Sequence, residues 1–143
     1  MMDLEDQTRI VRRAVSYTLL STSVPFDRTG PGAARRFVEA AVTHLRLDEE
    51  LGAILLVVAS ELATNAVVHG CGPVSLAVAY RSGDVTIEVS DGDPRCEQVR
   101  PRPVDDRSPG GRGLRLLDAL TDARGVRSLP TGKAVWARRR VTG

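Results

Sequence analysis

Hydrophobic positions along this chain follow two periods, one helical and one of strands. From Leu51 to Gly70, LGAILLVVASELATNAVVHG, apolar residues run almost unbroken, and Glu61 is the one ionisable side chain between Leu51 and Val68. The stretch predicts a buried helix, too interrupted by polar groups to span a bilayer. At about 100° per residue, Glu61, Asn65 and His69 lie within about 80° of one another, in the sector that also holds Ile54, Val58 and Leu62. That stripe is apolar in its first two turns and polar in its last two. A helix built this way faces core at one end and a cavity at the other. A buried carboxylate is costly unless something pairs with it or uses it, so Glu61 marks the cavity end as the place to look for chemistry.

Around this helix the pattern changes period. Val15 to Leu20 predicts a strand by its β-branched and aromatic content, and Ser21 to Gly32, with Pro25, Gly30, Pro31 and Gly32, predicts a loop. Ala33 to Leu45 predicts a helix with Phe37, Ala41 and Leu45 on one face. Asp48 is placed to N-cap the central helix, with Glu49 and Glu50 near its positive end, and Gly70, Gly72 and Pro73 stop it. Val74, Leu76, Val78 and Tyr80 then alternate with smaller or polar residues, Arg81-Ser82-Gly83-Asp84 turns the chain, and Val85, Ile87 and Val89 alternate again: a hairpin ending at Asp91-Gly92-Asp93-Pro94. Residues 95–109 are charged and broken by proline, the composition of a long functional loop. Gly110-Gly111-Arg112-Gly113 leads into an amphipathic helix, Leu114 to Leu120. Gly125 to Leu129, a turn over Pro130-Thr131-Gly132-Lys133, and Ala134 to Arg139 predict a closing hairpin. Clustered hairpins with helices between them predict an α+β fold, a two-layer sandwich whose sheet is mixed but mostly antiparallel, with its helices on one face.

Composition narrows the function classes. At 143 residues, 42% hydrophobic and 27% charged, the chain has the make-up of one soluble globular domain. A net charge of +2 is too small to argue for direct nucleic-acid binding. Two cysteines, Cys71 and Cys96, are too few for a disulfide framework and are expected as free thiols in a reducing compartment. His69-Gly70-Cys71 lacks a second His/Cys cluster at ligand spacing, which disfavours zinc. The first 20 residues carry Asp3, Glu5, Asp6 and several Arg with no apolar core of a signal peptide, so a cytoplasmic protein without a membrane anchor is expected.

Four features carry candidate chemistry. Glu61 one helical turn before Asn65 sets a carboxylate beside an amide oxygen, which suits a hydroxyl proton acceptor next to a hard cation such as Mg²⁺; a satisfied polar pair is the other reading. Asp91-Gly92-Asp93 at a strand end can accept hydrogen bonds from a ligand amino group, and is otherwise an ordinary turn. Gly110 to Gly113 opening a helix frees backbone N–H groups for an anion, or makes a hinge; no Lys-Ser or Lys-Thr follows, so it is not a Walker A loop. Finally, Arg95, Arg100, Arg102, Arg107, Arg112 and Arg115 crowd this region, and one of them is enough to stabilise charge on a transferring phosphoryl group. Neither a Gly-x-Ser-x-Gly elbow nor the protein-kinase HRD and DFG patterns occurs.

In order, these features resemble the GHKL (Bergerat-fold) ATPase superfamily, shared by gyrase, histidine kinases and anti-sigma-factor kinases. Glu61-Leu62-Ala63-Thr64-Asn65-Ala66 with His69-Gly70 resembles the N box, Asp91-Gly92-Asp93-Pro94 the first glycine box and Gly111-Arg112-Gly113-Leu114 the second. The resemblance covers roughly residues 15–140, leaving residues 1–14 as an N-terminal tail or extension before an ATP-binding domain over 15–143, whose ATP lid is about 95–109. Within the superfamily, SELATNAVVHG, VSDGDPR, GGRGLRLLDAL and GKAVWARRR are most similar to the stand-alone actinobacterial anti-sigma serine kinases. A histidine kinase would need a further helical segment bearing its phosphoacceptor, and a gyrase-like machine a transducer domain.

The resemblance implies roles position by position. Asn65 would bind the Mg²⁺ that bridges the ATP phosphates, and Glu61 would be the base that takes the serine proton. Asp91 would read the adenine amino group, with Gly92 and Asp93 beside it. Gly111, Gly113 and Leu114 would hold phosphates, and Arg112 or Arg107 would contact the γ-phosphate. Implied partners are an anti-anti-sigma (STAS-type) protein bearing the serine and a sigma factor, with a homodimer as the expected assembly. The chain departs from the family at Ala134, where a Thr is common, and at Arg124, where an aromatic is common. An ATP-binding partner switch without kinase activity is the alternative.

Overall fold

The computed structural model describes residues 17–92 and 109–141, with the side chains of 109–114 left aside. The predicted tail over 1–14, Asp93 and nearly all of the predicted lid lie outside the described residues.

Among the described residues, five strands and three helices follow one another: β1 (Tyr17–Val24), α1 (Gly30–His44), α2 (Glu49–His69), β2 (Val74–Arg81), β3 (Asp84–Asp91), α3 (Pro109–Leu120), β4 (Ala123–Leu129) and β5 (Gly132–Arg140). The sheet order is β1-β2-β3-β5-β4, and all four pairings are antiparallel, so no parallel pair joins the sheet among the described residues. The helices cover one face. Leu20, Val24, Val74, Leu76, Val78, Val85, Ile87, Val89 and Ala137 point into that layer and are buried, whereas their neighbours Leu19, Ser21, Ser75 and Arg138 are exposed. This is the α+β sandwich that the alternation predicts.

The central helix forms as its sequence dictates. Leu51 N–H donates to Asp48 Oδ1 at 2.7 Å, the expected N-cap, and Glu49 and Glu50 sit in the first turn. At the far end Gly70 N–H closes the helix on Ala66 O at 2.9 Å. Eight of the 21 residues of α2 are buried, Leu55, Val58, Ala59 and Leu62 among them. Although α2 is long and apolar enough to cross a membrane, these residues form the middle of the protein core together with Ala34, Val38 and Ala41 of α1. Gly52 lies against Val42, so the two helices approach closely there.

Several boundaries differ from the sequence expectation. β1 runs on to Val24, because Ser21 to Val24 pair with Ala77 to Val74 before Pro25 ends the ladder. α1 begins at Gly30, three residues early, since Pro31 is well suited to a first turn that needs no N–H. α3 begins at Pro109, which places Gly110, Gly111 and Gly113 inside the helix rather than ahead of it. The closing hairpin turns over Pro130 and Thr131 alone, with Leu129 opposite Gly132. The turn between β2 and β3 falls where predicted, with Ser82 and Gly83 at positive φ (47° and 86°), as a two-residue hairpin loop requires.

The thiol expectation is overturned. Cys71 is disulfide-bonded. Pairing depends on which residues the fold brings together, and spacing along a chain with two cysteines cannot show that. The one other cysteine in the sequence is Cys96.

Candidate functional site

The site is built where the C-terminal end of α2 meets the end of β3. Gly92 N–H donates to Cys71 O at 3.0 Å, which ties the two element ends together. Asp91, the last residue of β3, points inward and is the one buried polar or charged residue among those described, at 6% exposure. Its carboxylate rests against the helix cap: a Cβ at Gly70 would overlap both Asp91 Oδ2 and Ala66 O. On the other side stands Gly132, at φ 155°, where a Cβ would overlap the Asp91 carbonyl. Two glycines from distant parts of the chain therefore make room for one carboxylate and its backbone.

Burial sets the electrostatics of this group. Desolvation raises the Asp91 pKa above the ordinary carboxylate value, and the Lys133 ammonium, with Nζ 3.8 Å from Oδ2, pulls it back in part. Lys133 is the cross-strand partner of Asp91 in the β3–β5 ladder. In the sequence, Lys133 reads only as the end of a turn. It could have been found from the residue opposite Asp91, had the register of the last hairpin been known.

Glu61 and Asn65 are both half-buried on α2, and His69 is exposed at its last turn. The stripe they share is thus the margin between the buried face, centred on Leu55 and Leu62, and the open face that carries Val57 and Val68. With about 1.5 Å of rise per residue, Asn65 stands about 7 Å and Glu61 about 13 Å along the helix axis from Gly70 and the carboxylate of Asp91. Gly92 follows β3 directly. Gly111, Arg112, Gly113 and Leu114 all fall in the first half of α3, which packs beside α2.

The two departures noted in the sequence have structural counterparts. Arg124 on β4 makes a two-pronged ion pair with Asp118 of α3, at 2.6 and 3.3 Å, which holds the Asp118 carboxyl below its usual range. An ion pair thus fastens α3 to the sheet at the position where the chain departs from the family pattern. Ala134 is fully buried and pairs with Ser90.

These residues fit a nucleotide. A buried carboxylate at a strand end offers an acceptor to a base, and a helix carrying an amide and a second carboxylate leads away from it. Among the described residues no cluster of three His, Cys, Asp or Glu side chains would hold a metal by itself. A Mg²⁺ here would be held by the Asn65 amide oxygen together with substrate phosphates, the usual coordination of that ion. A hollow of about 330 Å³ lined by Tyr17, Leu19, Ala77 and Thr86 lies on the opposite face of the sheet, away from this constellation.

The fold and the site define a nucleotide-binding α+β domain. Residues 24–139 match the histidine kinase-like ATPase domain, and the chain belongs to that family. A chain from the crystal structure of the SiaB–SiaC complex of Pseudomonas aeruginosa has a similar fold, with a TM-score of 0.56 at 14% identity over 99% of each chain. Among curated proteins, none matches. The protein is therefore an ATPase-type domain of the class that the three motifs resembled.

Proposed function

We propose that the protein is a cytoplasmic anti-sigma factor and serine-protein kinase: it binds Mg-ATP and phosphorylates a serine of an anti-anti-sigma (STAS-type) partner, thereby governing release of a sigma factor. The observation that carries this reading is the order of groups along α2. Asp91 at the cap takes the adenine amino group, with Gly92 and Asp93 beside it. Asn65, about one turn before the C-terminal end of α2, meets the phosphates, and bound Mg²⁺ there would neutralise their charge. Glu61, one turn further, reaches the serine hydroxyl. The serine oxygen forms a bond to the γ-phosphorus, the bond from that phosphorus to the ADP oxygen breaks, and the Glu61 carboxylate takes the serine proton. The first turn of α3, begun at Pro109, leaves the N–H groups of Gly110 and Gly111 without intrahelical partners and free for phosphate oxygens, while Gly113 and Leu114 follow within the same helix and Arg112 supplies a cation there. The structural neighbour comes from a two-protein complex, which supports a partner protein as the substrate.

The test is transfer of labelled phosphate from Mg-ATP to a purified anti-anti-sigma protein. Glu61→Gln is expected to lower the rate by about 100-fold or more with nucleotide affinity retained. Equal transfer by both forms would remove Glu61 as the base. A second reading, a partner switch that binds ATP without transferring phosphate, is favoured by Ala134, where the family's usual hydroxyl is missing. It predicts nucleotide-dependent complexes with no phosphoserine by mass spectrometry.

A further inference from the structure

Lys133 and Asp91 face each other across the β3–β5 ladder, with Nζ 3.8 Å from Oδ2. The two ends of the pair have different surroundings. The Asp91 side chain is 5% exposed, whereas that of Lys133 is 34% exposed and keeps part of its hydration. Among the described residues, the other groups packed on Asp91 bring it no positive charge. Gly70 and Ala66 present the C-terminal carbonyl end of α2, the negative end of its dipole. Val74 lies opposite on β2. His69 of α2 is exposed at the helix end. Among the described residues, Lys133 is the charge that acts on this carboxylate.

The state of Asp91 determines which base it can read. A carboxylate only accepts hydrogen bonds; a protonated carboxyl also donates. The first pairs with an exocyclic amino group and repels a carbonyl oxygen, and the second accommodates either. Resting on the ATP-site reading above, we propose that Lys133 is the positioning residue that keeps Asp91 an acceptor-only carboxylate, and so makes the site select a purine with an amino group at position 6 over one with a carbonyl there. Lys133 acts through Asp91 and need not touch the nucleotide. Burial alone favours the protonated carboxyl, and the ammonium beside it is the opposing influence.

The experiment is calorimetric titration of the full chain with Mg-ATP and Mg-ITP at pH 6 and pH 8, for wild type, Lys133→Met and Lys133→Arg. Wild type is expected to prefer ATP by about 100-fold at both pH values, and Lys133→Arg to behave like it. Lys133→Met should lose about tenfold in ATP affinity at pH 6, recover part of it at pH 8, and show a smaller ATP-to-ITP ratio at the lower pH. The partly exposed site of Lys133 lets the variant fold, and an unchanged melting curve checks this. An unchanged ratio and pH profile in Lys133→Met, with wild type binding ATP, overturns the role of Lys133 alone. Equal loss of both nucleotides at both pH values overturns it as well, because that is the mark of a phosphate contact. Failure of wild type to bind either nucleotide overturns the ATP-site reading and this inference with it.

Discussion

At the scale of single residues, the junction of α2 and β3 holds a buried carboxylate that works against the stability of the fold. Asp91 has its pKa raised in the folded protein, so its contribution to stability is fully present below the unfolded value and is lost as pH rises through the folded value. At neutral pH the folded protein therefore carries a desolvated charge that the unfolded chain does not. Asp91→Asn is expected to melt at the same temperature as wild type or a few degrees higher at pH 7, a difference that narrows towards pH 4, while ATP binding falls at least tenfold. Thermal melts at the two pH values and a binding titration check both halves. A clear loss of stability at pH 7 would show that the carboxylate is structural. Asp27 and Asp118 titrate in the opposite sense. Hydrogen bonds from Thr29 and Arg124 hold them below the ordinary value, so what they contribute is present above the unfolded pKa and lost on acidification. Both are exposed, and solvent screening keeps their effect small.

At the scale of elements, α2 determines the site because its two ends are fixed independently. The Asp48 cap starts it, and the approach of Asp91 to Gly70 ends it. Replacing Asp48 by Ala leaves Leu51 N–H without its acceptor and is expected to cost about 1 kcal/mol, or about 3 °C in melting temperature, with nucleotide affinity unchanged. Substitution at the other end behaves differently. Gly70→Ala forces the carboxylate off the cap, so binding should fall along with stability. Differential scanning calorimetry beside a nucleotide titration separates the two ends. If Asp48→Ala weakened binding as much as Gly70→Ala, the helix would be acting as one rigid lever rather than through its cap at Asp91.

At the scale of the whole molecule, one apolar layer holds α1, α2 and, through Leu117, α3 to the sheet, and the site sits at its edge. Leu55 is 2% exposed in the middle of that layer. Leu55→Ala is expected to remove roughly 2–5 kcal/mol, a large part of the stability of a domain of this size. Urea denaturation should show the shift in midpoint with the slope retained. Much of this layer is legible in the sequence. Val74, Leu76, Val78, Val85, Ile87 and Val89 alternate strictly, and the helical run from Leu51 has a continuous buried face, because local periodicity alone decides which side of a strand or helix is greasy. The open margin of α2 was less legible. Periodicity placed Glu61 and Asn65 in the core stripe, yet they stand at its border, since the border depends on which neighbours pack against the helix.

What the sequence determined by itself was what local chemistry controls: the α+β class, the cap at Asp48, the hairpin turn at Ser82-Gly83, and Glu61, Asn65 and Asp91 as the residues worth singling out. The tertiary structure decided which distant pieces meet. The partnership of Lys133 with Asp91 follows from the antiparallel register of β3 and β5, and the room for Asp91 comes from Gly70 and Gly132, on different elements. Such pairings come from long-range packing, and no window of residues along the chain contains them.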